Sequence, residues 1–255
     1  MPLEIITLPC RTDNYAYLLH DAKSSRTALV DAPEATAIKS ALSARGWGLD
    51  AILLTHHHDD HIDGVEELRR TYGASVYGAK ADAHRLPLLD HALDDDTRFD
   101  LFGEEVKVLN VSGHTVGHIA FYLPDSQAVF TADSLMALGC GRLFEGSAEM
   151  MWHSLQRLMA LPPETMVYSG HEYTQSNARF AVTVEPDNTA LAQRVAEIDA
   201  KRKIGEATVP SLLRTELDTN PFLRAHLAEL KAAIGMEDAE NAEVFKEIRL
   251  RKDRF

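Results

Sequence analysis

Short runs of β-branched and aromatic residues, separated by turn residues, occupy the first two-thirds of the chain and predict β-strands. These runs are residues 27–31, 51–55, 74–78, 105–111, 118–123, 128–133 and 166–170. Between them, residues 34–45 and 62–72 place apolar side chains at helical spacing, and Gly46 and Gly73 follow as C-caps. The alternation predicts an α/β core with covered sheets.

The pattern changes near residue 174. Residues 176–203 and 221–250 are rich in Ala, Leu, Glu, Lys and Arg and carry few strand signals. Segments that contain proline, at 184–188, 206–211 and 218–221, discourage one continuous helix. We therefore predict two domains, an α/β domain over residues 1–174 and a helical domain over residues 175–255.

Composition and charge exclude several classes of protein. The chain has 255 residues and a net charge of −13, and residues 1–174 carry 13 basic against 25 acidic side chains. Such a balance argues against nonspecific binding to nucleic acid or acidic membranes, because both need basic surface. Without a signal peptide or an apolar run near 18 residues, and with only Cys10 and Cys140, a cytoplasmic, reduced protein is predicted. A monomer is our default expectation.

Seven residues of metal-ligand type follow predicted strands. Four of them stand in THHHDDH directly after residues 51–55, and the other three follow the strands at 105–111, 128–133 and 166–170: His56, His58, Asp60, His61, His114, Asp133 and His171. Imidazole and carboxylate ligands suit Zn²⁺, Fe²⁺ and Mn²⁺. Seven such ligands predict two divalent metal ions, with zinc as the first choice and iron or manganese as alternatives.

Spacing within the motif divides the ligands between the two ions. His56 and His58 lie two apart in an extended loop and are predicted to share one ion with His114. Asp60 and His61 lie at the turn into the next helix and would share the second ion with His171. Asp133 would bridge the ions and hold the bridging water, whereas His57 is expected to point away and His118 to support the site from behind.

Longer motifs then carry a family resemblance. The chain resembles the metallo-β-lactamase superfamily in four motifs: THHHDDH, SGHTVGH (112–118), TAD (131–133) and GHEYT (170–174). It also resembles the hydroxyacylglutathione hydrolases, also called glyoxalase II, in five longer segments: GCGRLFEG (139–146), GHEYTQSNARF (170–180), EPDN (185–188), TNPFLR (219–224) and the terminal RLRKDRF. The resemblance implies an αββα sandwich over residues 1–174 and a helical glutathione-binding domain over residues 175–255.

The resemblance also implies substrate contacts. In that family, Arg and Lys of the terminal R-x-x-K-D bind the glutathione carboxylates, and they match Arg249 and Lys252. The family also uses the basic residue of G-C-G-K/R and the Tyr of G-H-E-Y-T around the glutathione backbone, and these match Arg142 and Tyr173. The sequence departs from many relatives at Phe144, where they carry a tyrosine, and at Asp59, which we expect to face solvent.

The expected reaction is hydrolysis of S-(2-hydroxyacyl)glutathione, chiefly S-D-lactoylglutathione, to glutathione and D-lactate, the second step of methylglyoxal detoxification. A metal-bridging hydroxide would attack the thioester carbonyl, so no protein general base is assigned. Alternatives are a broader thioesterase or lactonase, a persulfide dioxygenase with a single iron, a flavodiiron oxidoreductase and a non-catalytic binding module. The full ligand set and His58 argue against the last three.

Overall fold

The computed structural model describes residues 2–255, and the chain divides into two compact units. One unit comprises the chain up to Asn110 together with Gly117–Thr131. The other comprises Val111–Val116 and Ala132–Phe255.

A six-stranded sheet forms one part of the first unit. Its strands run in sequence order: β1 (Glu4–Cys10), β2 (Asn14–Asp21), β3 (Arg26–Val30), β4 (Ala51–Leu53), β5 (Ser75–Ala79) and β6 (His91–Leu93). β1 to β3 are antiparallel, and β3 to β6 are parallel, with Val30 paired to Leu53 and Leu53 to Tyr77. Such parallel strands, buried on both faces, need connections that cover them.

Helices provide that cover. They are α1 (Ala35–Arg45), α2 (Asp59–Ile62) and α3 (Val65–Tyr72). Ile38 and Leu42 of α1 pack in one buried cluster with Leu29 and Ile52 of the sheet. Gly46 and Gly73 end α1 and α3 with φ of 67° and 72°, a left-handed conformation that glycine adopts without strain, which confirms the predicted C-caps.

A second, antiparallel run of strands completes this unit. It contains β7 (Arg98–Leu101), β8 (Glu104–Asn110), β9 (Ile119–Leu123) and β10 (Ala128–Ala132), and each strand pairs with the next. All seven predicted strands are confirmed to within about two residues; six lie in this unit, and the seventh, at residues 166–170, lies in the second unit. The sequence pattern did not predict four further strands of this unit, β1, β2, β6 and β7. Strand β2 is buried along nearly its whole length, so its sequence does not alternate between apolar and polar residues. The other three strands are short or interrupted by polar residues.

The second unit is mainly helical. Its strands are the hairpin β11 (Leu135–Met136) and β12 (Gly139–Cys140) and the pair β13 (Met166–Ser169) and β14 (Ser211–Leu212). Its helices are α4 (Ala148–Met159), α5 (Thr174–Val184), α6 (Thr189–Lys203), α7 (Leu213–Thr219), α8 (Ala228–Ile234) and α9 (Asn241–Arg254). Phe222 lies 6.0 Å from Phe180 and 5.9 Å from Phe245 between ring centroids, at the centre of the helical core.

Helix ends follow local sequence signals. Ser147 and Asn188 cap α4 and α6 by accepting from the backbone N–H groups of Met150 and Leu191. Residues 221–250 have a helix-forming composition, but the chain is not helical at residues 220–227. Pro221 lies there, shortly after the end of α7. In the part of the chain from residue 2 onward, no helix is long and apolar enough to cross a membrane.

Candidate active site

The THHHDDH motif lies in the loop that follows β4 and enters α2. His58 caps the N-terminus of α2, and its carbonyl accepts from the N–H of His61 at 2.9 Å. Nε2 of His56 lies 3.2 Å from Nδ1 of His58. Two imidazole nitrogens that bind one tetrahedral ion at 2.0–2.1 Å are about 3.4 Å apart, so this separation suits a shared metal ion.

Asp31 orients two of these histidines from the end of β3. Its carboxylate accepts from Nδ1 of His61 at 2.8 Å and from both the N–H and the hydroxyl of Thr55 at 2.9 Å. Because the Thr55 hydroxyl donates to Asp31, its oxygen accepts from Nδ1 of His56 at 3.0 Å. Both histidines therefore direct Nδ1 at these oxygens and leave Nε2 on the opposite side of the ring, the arrangement in which a neutral imidazole binds a metal.

Sequence reasoning missed Asp31, although the signal was present. The residue ends the predicted strand 27–31, and a carboxylate at the end of an apolar strand is a candidate ligand or support. In the structure Asp31 is buried with a φ of 56°, and its carboxylate lies within 4.8 Å of the ring nitrogens of His56 and His61.

Asn14 was also missed, and it fixes Asp60. Its side-chain amide donates to the carboxylate and to the carbonyl of Asp60, both at 3.0 Å. The same carboxylate oxygen lies 3.9 Å from Nε2 of His61. The two residues at the turn into α2 therefore place a carboxylate oxygen and a ring nitrogen side by side.

The neighbouring histidines have other contacts. Nδ1 of His57 lies 3.1 Å from the buried carboxylate of Asp82, which also accepts from Arg85 at 2.5 Å. His118 is buried and stacks on the His56 ring, with centroids 4.5 Å apart and planes 13° from parallel. Asp59 is exposed, as predicted.

In the second unit, Asp133 joins two histidines. Its Oδ2 lies 3.5 Å from Nε2 of His114 and 3.3 Å from Nε2 of His171. Nδ1 of His114 donates to the carbonyl of Arg142 at 2.8 Å, which turns Nε2 of His114 toward the Asp133 carboxylate. Imidazole nitrogens and a carboxylate oxygen at these separations are ligands that a divalent metal ion accepts, so the donor set fits such an ion.

A basic cluster lies in the same unit. We define it as Arg142, Arg179, Arg249 and Lys252. Oδ1 of Asp253 lies 3.0 Å from Nη2 of Arg249 and 3.7 Å from Nε of Arg142. The four basic side chains are grouped in a protein whose net charge is −13.

Lys252 and Arg249 differ in accessibility within the basic cluster. Lys252 is partly exposed, and its Nζ donates to the carbonyl of Ser176 at 3.2 Å. Its burial, together with the charges of Arg249, Arg179 and Arg142, lowers the pKa of its ammonium to about 8. Arg249 is only 5% exposed, and its Nη1 donates to the carbonyl of Cys140 at 2.8 Å.

Two aromatic side chains flank the ligands of the second unit. The Tyr173 ring stacks on His171 at 4.7 Å, with planes 8° from parallel, and it is exposed. The Phe144 ring lies 5.2 Å from the His114 ring and is 63% exposed. Both rings can therefore contact a ligand that approaches the histidines.

Comparisons with known proteins agree with this fold. Residues 12–171 match the model of the metallo-β-lactamase superfamily, and residues 172–255 match the model of the hydroxyacylglutathione hydrolase C-terminus. The crystal structure of BLEG-1, a B3 metallo-β-lactamase, superposes with a TM-score of 0.68 at 22% identity, covering 86% of this chain and 99% of that one. The predicted fold class, a metallo-β-lactamase αββα sandwich with a C-terminal helical domain, is confirmed, and the protein is a metal-dependent hydrolase of this superfamily.

Closer relatives define the family within the superfamily. A hydroxyacylglutathione hydrolase of Ruegeria pomeroyi is 64% identical, and one of Cereibacter sphaeroides is 62% identical, each over 100% of both chains. The chain belongs to the hydroxyacylglutathione hydrolase family, as its motifs predict.

Proposed function

We propose that the protein hydrolyses S-(2-hydroxyacyl)glutathione, chiefly S-D-lactoylglutathione, to glutathione and the hydroxy acid. The observation that carries this proposal is membership of the hydroxyacylglutathione hydrolase family over the full length of the chain. The reaction would be the second step of methylglyoxal detoxification.

The proposed cofactors are two divalent metal ions, zinc by preference and iron or manganese as alternatives. Their ligands would be His56, His58, Asp60 and His61 of the first unit and His114, Asp133 and His171 of the second. The ligand separations of 3.2, 3.3 and 3.5 Å within the two sets support this assignment. Ions so held lower the pKa of a bound water and supply hydroxide near neutral pH.

The protein side chains then need only to bind and orient. The Asp133 carboxylate would be shared between the two ions, and its Oδ2 lies 3.5 Å from Nε2 of His114 and 3.3 Å from Nε2 of His171. A thiol has a pKa near 8–9, so the glutathione thiolate leaves without a proton donor, and we assign neither a general acid nor a general base.

Glutathione recognition is proposed for Arg142, Tyr173, Arg249 and Lys252. Lys252 and Arg249 would bind the two carboxylates of the glutathione moiety, and Arg142 and Tyr173 would contact its backbone. Charge-assisted hydrogen bonds of this kind are about twice as strong as neutral ones. In this proposal residues 1–174 supply the chemistry, residues 175–255 supply the glutathione site, and the protein acts as a monomer.

A broader thioesterase activity is the second candidate. It is favoured by Phe144, an exposed ring beside His114 that lacks the hydroxyl many relatives place there. Without that hydroxyl, selection for glutathione depends more heavily on the basic cluster.

One comparison of substrates tests the proposal. We would measure kcat/KM for thiol release from S-D-lactoylglutathione and from the D-lactoyl thioester of N-acetylcysteamine, which has no carboxylates. We expect a value above about 10⁴ M⁻¹s⁻¹ for the glutathione ester, the range of dedicated enzymes, and a value roughly 100-fold lower for the small ester, since charged hydrogen bonds contribute about 1.5–3 kcal/mol each.

The control variant is Lys252→Ala, which should reduce the value for the glutathione ester and leave that for the small ester unchanged. Equal values for both esters would favour the broader thioesterase. No thiol release from either ester would reject the proposal.

A further inference from the structure

A short segment beside His114 pairs as the β11–β12 hairpin and is also held by side chains from the helices. We call Met136–Arg142 the strap; it contains the last residue of β11, the turn, β12 and the two residues that follow. Four side chains form hydrogen bonds with its backbone: Asn177 of α5, Glu216 of α7, Asn220 at the C-terminal end of α7 and Arg249 of α9.

Asn220 and Glu216 clamp the turn of the strap. The Asn220 amide lies 3.1 Å from the carbonyls of both Met136 and Gly139, and the residue is fully buried. The buried Glu216 carboxylate accepts from the N–H of Leu138 at 2.9 Å. Leu138 has a φ of 55°, which costs free energy for a residue with a Cβ, so these contacts hold a conformation that the strap alone would disfavour.

The contacts continue along the strap. Asn177 donates to the carbonyl of Ala137 at 3.1 Å, and Arg249 donates to the carbonyl of Cys140 at 2.8 Å. Arg194 pairs with Glu216 and fixes the position of its carboxylate. Every one of these side chains except Arg249 lies outside the proposed metal and glutathione contacts.

The far end of the strap touches two proposed metal ligands. A Cβ on Gly141 would lie 2.0 Å from the carbonyl oxygen of Asp133 and 2.8 Å from Nδ1 of His114, so only glycine permits this approach. The next residue, Arg142, accepts the Nδ1 proton of His114 through its carbonyl. Movement of the strap would therefore change the orientation and the hydrogen bond of His114.

We propose that Asn220, Asn177 and Glu216 are positioning residues for the metal centre. They act through the strap: by fixing its backbone they place the Arg142 carbonyl, which accepts from Nδ1 of His114 and so orients the ring. This inference rests on the proposed metal site, and it assigns to the helical part of the chain a role in metal binding in addition to substrate recognition.

The test measures metal affinity and stability separately. Apoprotein of the parent, Asn220→Ala and Asn177→Ala would be titrated with Zn²⁺ in competition with a chromophoric chelator, and Tm of each apoprotein would be recorded. The matched control is Asn188→Ala, which removes the N-cap of α6 and a bond to the Asp218 carbonyl without touching the strap. Loss of that cap should lower Tm.

We expect one of the two ions to bind about 10–100-fold more weakly to Asn220→Ala and Asn177→Ala, the usual effect of removing support from behind a ligand. Asn188→Ala should keep parental affinity despite its lower Tm. Parental affinity in both strap variants, or an equal loss in the control, would overturn the inference. If Asn220→Ala does not fold, Asn177→Ala decides, and a parent protein that binds no metal would instead reject the proposed function.

Discussion

The pH dependence of KM tests the role of Lys252 in detail. Burial and three neighbouring guanidinium groups lower the pKa of this lysine to about 8. A protonated Lys252 attracts a glutathione carboxylate, and a neutral one does not. Raising the pH through 8 should therefore weaken substrate binding, whereas an ordinary surface lysine would stay charged until about pH 10.

The size of the effect follows from this titration. If substrate binds only when Lys252 is protonated, the apparent KM is multiplied by the factor 1 + 10^(pH − pKa). With a pKa of about 8, KM rises about tenfold between pH 7 and pH 9. The upper limit is the contribution of the charged contact, about 1.5–3 kcal/mol, which corresponds to roughly 10–100-fold. If the contact is equally strong in the ground and transition states, kcat should not change with it.

The assay is thiol release from S-D-lactoylglutathione between pH 6.5 and 9.5, with parent, Lys252→Ala and Lys252→Arg compared. The alanine variant should have a raised KM already at pH 7, and its KM should show no further increase with pH that is due to residue 252. The arginine variant should also lack the increase between pH 7 and pH 9, because its guanidinium group stays charged. Titration of the substrate itself is common to all three proteins and cancels in their ratios. An identical pH dependence of KM in the parent and in Lys252→Ala would refute the reasoning.

Three further substitutions give separate tests. Asp133→Ala should lose the shared oxygen ligand and hence metal and activity together, and about two bound ions by elemental analysis would contradict that role. Asp31→Ala should leave the donors of His61 and Thr55 unpaired and destabilise the apoprotein by about 3–5 kcal/mol in urea unfolding; a change below about 1 kcal/mol would show that these groups find other partners. Phe144→Tyr should add a hydrogen bond to glutathione and lower KM about 2–10-fold at unchanged kcat; an unchanged KM would place the ring outside the glutathione site.

The sequence predicted the elements that carry strong local signals. Strand β4 is apolar throughout and runs directly into THHHDDH, so both the strand and its ligands could be recognised together. Within each unit the structure then brings the predicted ligands to separations that suit a metal ion, His56 with His58 and His114 with Asp133.

Supporting residues could not be found in the same way. Asn14 lies 46 positions from Asp60, and Asn220 lies 81 positions from Gly139, so only the tertiary fold brings these partners together. Single Asn residues also have many ordinary uses in turns and caps, and nothing in the local pattern separates Asn220 from the N-cap Asn188.

The role of Arg249 illustrates a different limit. The motif R-x-x-K-D predicts that Arg249 and Lys252 act alike on substrate. In the structure Arg249 is buried and bound to the Cys140 carbonyl, while Lys252 is more accessible. Burial depends on the packing of α9 against the rest of its unit, which a five-residue motif does not specify.

The most direct test of the metal-dependent mechanism is a titration of the apoprotein with Zn²⁺, in which bound metal and thiol release from S-D-lactoylglutathione are measured on the same samples. We predict no activity without metal, saturation at two ions per chain, and full activity at that point. Full activity in the metal-free protein, or saturation at a single ion, would contradict the assignment of two metal ions to these seven ligands.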